Sequence, residues 1–183
     1  SAYRNVRKNG LIAVGLDEGD EIAGVRMTDG NAQLIVATRN GYAIRLEEDK
    51  IRALSRSAHG VKAIKLRDGD CVVSMARIRE GASLLTITDK GYGRRTELES
   101  YRIQGRGGYG LKNYSVSEEK GNVCGIKVVD ETDDIIIIST DGVVIRIRCS
   151  DVRIMGRYAT GVRVMKVSGD DRVVSFTRAE YLM

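Results

Sequence analysis

The sequence predicts an all-β chain of propeller-like architecture, built from four-stranded blades of about 50 residues each. Three observations carry this. Short runs rich in Val and Ile recur, among them QLIVAT (33–38), SLLTIT (83–88) and DIIIIST (134–140). Turn formers close these runs, as TRNG (38–41), TDKG (88–91) and STDG (139–142), where Gly takes a positive φ at no steric cost. The turns also keep a period: Gly41, Gly91 and Gly142 lie 50 and 51 residues apart.

In chain order the predicted strands are 11–16, 21–27, 33–38, 41–46, 61–66, 71–78, 83–88, 134–140, 143–148, 162–167 and 172–178. Each is five to eight residues long and bounded by Gly, Asp or Asn, the spacing of an all-β repeat rather than of amphipathic helices. A second glycine follows each hairpin turn by nineteen residues, at Gly60, Gly110 and Gly161. Gly69-Asp70 and Gly169-Asp170 mark a further turn per repeat, and SEEKGN (117–122) replaces it in the middle one. The register divides the chain into a partial blade at 1–30 and blades at about 31–80, 81–130 and 131–183.

Composition narrows the function classes. The 183 residues hold no Pro, no Trp and one Phe, and no apolar run approaches the length of a membrane span. The first ten residues lack the apolar stretch of a signal peptide. Cys71, Cys124 and Cys149 have neither metal-like nor disulfide-like spacing and read as reduced thiols of a cytoplasmic protein. No metal and no cofactor is expected, and no cluster of His, Cys or paired carboxylates recurs at one end of the strands. Tyr109 and Tyr158 have no accompanying base, so they are not read as nucleophiles. His59, in a Gly-flanked basic loop, reads as a surface residue or a phosphate contact.

Charge is sorted by position. Segments 51–65, 101–115 and 152–166 together contain eleven Lys or Arg and no Asp or Glu, while the rest of the chain holds nineteen basic and twenty-five acidic residues. Four basic columns run through the three repeats: Arg45, Arg95 and Arg146; Arg52, Arg102 and Arg153; Arg56, Arg106 and Arg157; Lys62, Lys112 and Arg163. With Arg94, these are the candidate contacts to a polyanion. Arg outnumbers Lys 21 to 9, and guanidinium grips phosphate oxygens in pairs. Repetition around an axis would align the three loops as one positive track, which suits duplex DNA held by its backbone. A blade-to-blade pairing of the Arg45 column is the structural alternative.

The repeated pattern T-x-x-G-x-x-x-R … R-x-x-[SG]-R-x-x-x-G-V resembles the C-terminal domain of the DNA gyrase A subunit, which is related to that of topoisomerase IV. DKGYGRRTELESYRIQGRGGYG (89–110) and VRIMGRYATGV (152–162) carry the likeness most strongly. The resemblance implies a β-pinwheel, a propeller-like ring whose blades exchange strands, here as an incomplete ring of about four blades out of six. It implies DNA wrapping at a basic outer edge, no catalytic residue in this part of the protein, and a bacterial, nucleoid-associated location. The implied partners are duplex DNA, the gyrase B subunit, and the remainder of the gyrase A polypeptide.

Gln104, Gly105, Arg106, Gly107, Gly108, Tyr109 and Gly110 resemble the family's gyrase box, whose form is Q, basic, R, G, G, basic, G. Gly105 and Tyr109 stand where that box is basic. The family's working box lies in its first blade, so this copy reads as a box-like loop of a later one. Topoisomerase IV and a propeller that binds acidic proteins are the competing readings. The strands near Leu11 and Val173 are expected to be open edges that favour dimerisation.

Overall fold

A computed structural model describes residues 6, 8–56 and 58–179. It contains eleven strands in three antiparallel sheets. The first sheet is built on β1 (Gln33–Thr38), β2 (Tyr42–Glu47) and β3 (Val72–Arg77). The second uses β4 (Ser83–Thr88), β5 (Tyr92–Glu97) and β7 (Val123–Val129). The third uses β8 (Asp134–Ser139), β9 (Val144–Arg148) and β11 (Val173–Ala179). Two-residue strands β6 (Leu111–Lys112) and β10 (Val162–Arg163) complete the first two sheets.

The hairpins form at the predicted turn glycines. Gly41, Gly91 and Gly142 have φ of 83°, 76° and 79°. A register shift near the end of the first strand recurs in all three sheets, at Ala37/Thr38, at Ile87/Thr88 and opposite β8 at Val173/Ser175. Such a bulge bends the strand and increases its twist. Below it a carboxylate closes each turn. Asp70 accepts the Asn40 N–H at 2.9 Å, and Asp171 accepts the Asp141 N–H at 3.0 Å. The middle repeat inverts the arrangement, with Asp89 accepting the Asn122 N–H at 2.9 Å.

Strand exchange ties the sheets together. After β5 the chain makes one 3-10 turn (Leu98–Ser100) and leaves its own sheet. It then runs along the outer edge of the first sheet, where β6 pairs with β2, before returning as β7. Residues after β9 repeat the path: β10 pairs with β5 of the second sheet and the chain comes back as β11. This non-local pairing satisfies the outer backbone groups of β2 and β5 and hides two sheet edges. β7 contacts both β3 and β11, and these three strands define the inner side of the arc.

The core lies between successive sheets. Ile35, Leu84, Leu98, Tyr101 and Ile126 fill the space between the first two. Leu85, Ile135, Ile137, Val152, Val173 and Phe176 fill the next. Each fully buried Ile or Leu contributes about 2 kcal/mol, so adjacent sheets stabilise one another.

Four sequence expectations change. Segments 11–16 and 21–27 form no strand, and Ile12, Ile22, Val25 and Met27 are exposed there. Residues 61–66 keep only an isolated bridge at Ile64, and of 162–167 only Val162–Arg163 is strand. β5 and β7 are strands that the sequence pattern does not announce. The open edge expected near Leu11 is absent, because Leu11 is not in a strand; β11, which begins at Val173, is the inner edge strand of its sheet, and among the described residues the vacant outer edge belongs to β9. In the basic N-terminal stretch before Leu11, residues 3–5 and 7 lie outside the described residues.

Candidate nucleic-acid interface

The three basic segments are the linkers that follow the outer strands, so the fold carries them along the outer side of the arc. A parallel bridge sets Ile103 beside Arg45, and another sets Ile154 beside Arg95. Gln104 N–H donates to the Arg45 carbonyl at 2.9 Å, and Met155 N–H donates to the Arg95 carbonyl at 2.8 Å. The two linkers thus lie in equivalent positions on successive sheets, and their side chains come into register by construction.

Exposure separates the columns. Arg52, Arg102 and Arg153 are exposed, as are Lys62, Lys112, Arg163 and Arg106, while Arg56 and Arg157 are half-buried. Among the described residues, none of the eleven linker cations is in an ion pair, although Arg77, Arg79 and Arg146 elsewhere are. Ordinary surface charge is mixed and locally neutralised; these side chains have no carboxylate near enough to compete with a phosphate.

Several linker cations are held in place by neutral groups. Arg157 donates to the Lys112 carbonyl at 2.8 Å and stands 5.8 Å from the Tyr101 ring and 5.3 Å from that of Tyr158. Arg56 donates to the Ile12 carbonyl at 3.0 Å. Arg163 donates to the Tyr92 hydroxyl at 2.6 Å, and that hydrogen bond lowers the phenol's pKa. These contacts orient guanidinium groups without cancelling their charge.

The Arg45 column works differently, and so does Arg94. Arg45 donates to Gln33 Oε1 and to the Leu98 and Tyr101 carbonyls at 2.8 and 3.3 Å, so it joins the first sheet to the 3-10 turn after the second. Arg95 is buried and donates to the Val152 carbonyl at 2.6 Å, the equivalent joint one repeat on. Arg146 donates to Asp134 at 2.6 Å. Arg94 is fully buried. It donates to the Ala159 carbonyl at 3.0 Å, to those of Arg157 and Asn113, and to the Thr96 hydroxyl. The expectation that Arg94 and Arg95 touch DNA is therefore corrected: a guanidinium sealed from solvent cannot meet a phosphate. They instead fix the loop that displays Arg157 and Arg153.

In the box-like loop, Gly107 N–H donates to the Ala63 carbonyl at 2.7 Å, and Gly108 bridges to Ile64. Tyr109 is exposed, with Lys65 4.8 Å and Arg67 5.1 Å from its ring centre. Lys65 and Arg67, absent from the sequence-derived columns, thereby bring positive charge to the place where Tyr109 replaces a basic residue. Only the three-dimensional approach of linker 51–65 to the loop reveals this. Gln104 and Gly105 shape the loop's start, and Gly110, at φ 69°, lets it close on the Ala43 carbonyl.

The remaining candidates are plain. His59 Nδ1 stands 3.1 Å from Asp17 Oδ1 on the surface. Burial pushes the Cys124 thiol up to about 12 and the Cys149 thiol up to about 11, which leaves both protonated near neutrality. Among the described residues no group of His, Cys, Asp or Glu is placed to hold a metal ion. No described helix is long and apolar enough to cross a membrane.

The profile of the DNA gyrase C-terminal domain, a beta-propeller, matches residues 1–29, 32–79, 82–130 and 133–180. The DNA gyrase A protein of Halalkalibacterium halodurans is 54% identical over 180 residues, which cover 98% of this chain and 22% of that relative. A crystal structure of the C-terminal domain of DNA topoisomerase IV aligns with a TM-score of 0.91 at 26% identity, covering 98% of this chain and 56% of the other. A DNA gyrase A C-terminal domain aligns with a TM-score of 0.88 at the same identity, covering 93% and 58%. Backbone alone therefore separates the two topoisomerases poorly, while the repeat-by-repeat sequence match is to gyrase: the chain belongs to the DNA gyrase A C-terminal domain family and has its β-pinwheel fold.

Proposed function

We propose that this chain binds duplex DNA without sequence preference and bends it along the linker-lined outer side of the arc. The observation that carries this is the set of eleven linker cations without an ion pair among the described residues, those of 101–115 and 152–166 repeating at equivalent positions on successive sheets. Exposed Arg52, Arg102 and Arg153, with Lys62, Lys112 and Arg163, make the contacts; Arg56, Arg106 and Arg157 support them. Among the described residues there is no α-helix to enter a groove, so affinity comes from backbone phosphates, and any preference among sequences comes from how easily each bends.

The chain spans about a fifth of the length of the curated gyrase A proteins it matches. Within such a protein it acts as the wrapping domain of an ATP-dependent type II topoisomerase that introduces negative supercoils. DNA cleavage and ATP hydrolysis then belong to other parts of the gyrase A and B polypeptides, in the bacterial cytoplasm. The 54% identity to gyrase A favours this over a topoisomerase IV role.

A salt titration of duplex binding tests the reading. With five or six phosphates neutralised, log affinity falls against log salt with a slope near −5. A flat response overturns it, as does equal binding of an acidic protein at the same salt.

A further inference from the structure

A second cluster of positive charge lies on the opposite side of the sheets from the linkers. A cavity of about 330 Å³ opens among Arg26, Arg77, Arg79, Lys127 and Arg178, with Ala76, Val128 and Thr177 completing its wall. Its construction follows the repeat. Ala76 and Arg77 pair with Ile35 and Leu34 of β1, Lys127 and Val128 with Leu85 and Leu84 of β4, and Thr177 and Arg178 with Ile136 and Ile135 of β8. These are the same two register positions on three successive inner strands, so three sheets converge on one cavity.

Its charges do not balance. Asp29 pairs with Arg77 at 2.5 Å; Asp130 and Asp133 pair with Arg79 at 2.6 and 3.5 Å; Asp133 also lies 3.6 Å from Arg178. Among the described residues, half-buried Lys127 has no ion pair, and Arg26 spends only one N–H, on the Val25 carbonyl at 2.7 Å. Among the described residues these carboxylates face Arg77, Arg79 and Arg178, while Lys127 and Arg26 have no carboxylate partner. Burial and the neighbouring Arg26 lower the Lys127 pKa, the mark of an ammonium that lacks its counter-charge. A half-buried lysine kept beside four arginines is a cost to folding that a bound anion would remove.

We propose that this inner-strand cavity is an anion site that takes a phosphate group, with Lys127 and Arg26 as its ligands and Arg77 and Arg178 as its rim. The oxygens of a phosphate group suit one ammonium and one guanidinium at once, and its negative charge answers the two cations that lack a carboxylate. The phosphate can come from a free phosphorylated compound or from a nucleic-acid strand. The site does not depend on the outer linkers, so it stands or falls separately from the DNA-wrapping reading.

The test uses the whole chain and inorganic phosphate as the probe, followed through backbone amide shifts at constant ionic strength. Saturable shifts at 76–77, 127–128 and 177–178, with the linker amides at 52–62 and 102–112 unmoved, are the expected result. Lys127→Met should weaken phosphate binding about tenfold, the loss expected of one charge-assisted contact. Should that variant fail to fold, Arg26→Gln, on an exposed segment, is expected to give a similar weakening. Competition between phosphate and a short duplex for the inner-strand amides assigns the site to nucleic-acid phosphate; absence of competition assigns it to a free compound. Shifts confined to the linkers, or wild-type phosphate affinity in the variant that folds, would overturn the proposal.

Discussion

Arg94 and Arg102 lie eight positions apart in the same repeat, and their surroundings assign them opposite tasks. Arg94 saturates its guanidinium on the carbonyls of Asn113, Arg157 and Ala159 and on Thr96. Replacing it with Met strands those buried acceptors and should cost about 3 kcal/mol or more. Arg102 is exposed and has no ion pair among the described residues. The triple variant Arg52→Ala, Arg102→Ala, Arg153→Ala should keep the wild-type melting temperature within a few degrees, since isolated surface charges contribute about 0–1 kcal/mol each. Its duplex binding should weaken, and the salt slope should become shallower by about 0.9 per lost phosphate contact. Thermal melting and salt titration of both variants decide the matter; a collapsed fold in the triple variant would make those arginines structural.

Tyr114 gives a second residue-scale prediction. It is fully buried beneath the returning linker, donates to the Thr160 carbonyl, and burial pushes its phenol up to about 12. The folded-state value exceeds the unfolded value near 10, so the folded protein holds this proton more tightly. That contribution is fully present below pH 10 and is lost as pH rises from about 10 to 12, at roughly 1.4 kcal/mol per unit for one proton. Alkaline denaturation should steepen in that window, and Tyr114→Phe should remove one proton's worth of the slope. Identical alkaline slopes in the two proteins would show that Tyr114 ionises without unfolding.

At the scale of elements, hairpins are legible in the sequence and exchanges are not. Glycine turns and Val/Ile runs are local signals, and β1, β2, β3, β4, β8, β9 and β11 emerge from them within a residue or two. β5 (YGRRTE) escapes notice because its buried positions include Arg94, Arg95 and Thr96; a linker distant in sequence accepts from both arginines, and Arg94 in turn donates to the Thr96 hydroxyl. Segments 11–16 and 21–27 carry strand-like composition yet find no sheet to join among the described residues, since β propensity measures fit to a neighbour rather than a backbone preference. β6 and β10 are two residues long. Sequence marks 162–167 as a longer strand and gives β6 no signal; in both cases only the two residues that meet the edge of another repeat become strand. The interface is legible in the same uneven way. Missing carboxylates expose the linkers as a basic track, whereas burial of Arg94 and the gathering of Lys65 and Arg67 at Tyr109 arise from packing.

For the whole molecule, the decisive asymmetry is at the turn glycines. A side chain at Gly41 would meet the Tyr114 carbonyl at 2.2 Å, and one at Gly91 would meet the Met165 carbonyl at 2.1 Å, because a returning linker covers each hairpin. Gly142 holds the same conformation with nothing within 4 Å. Its carbonyl accepts no backbone N–H among the described residues, although those of Gly41 and Gly91 each accept two. Among the described residues the third sheet has three strands, and Val143 and Val144 are exposed beside its open edge. Unpaired strand edges flanked by apolar side chains recruit other strands, and two-fold pairing satisfies both copies of an identical chain at once. The isolated chain should therefore dimerise through β9, with light scattering showing a mass that rises with concentration. Val144→Lys, which places a charge on the edge, should return it to monomer without altering the melting temperature in dilute solution. A monomeric mass at every concentration would mean that Arg146 and Arg148 already blunt the edge, and would leave the curved array of linkers as a single-copy DNA surface.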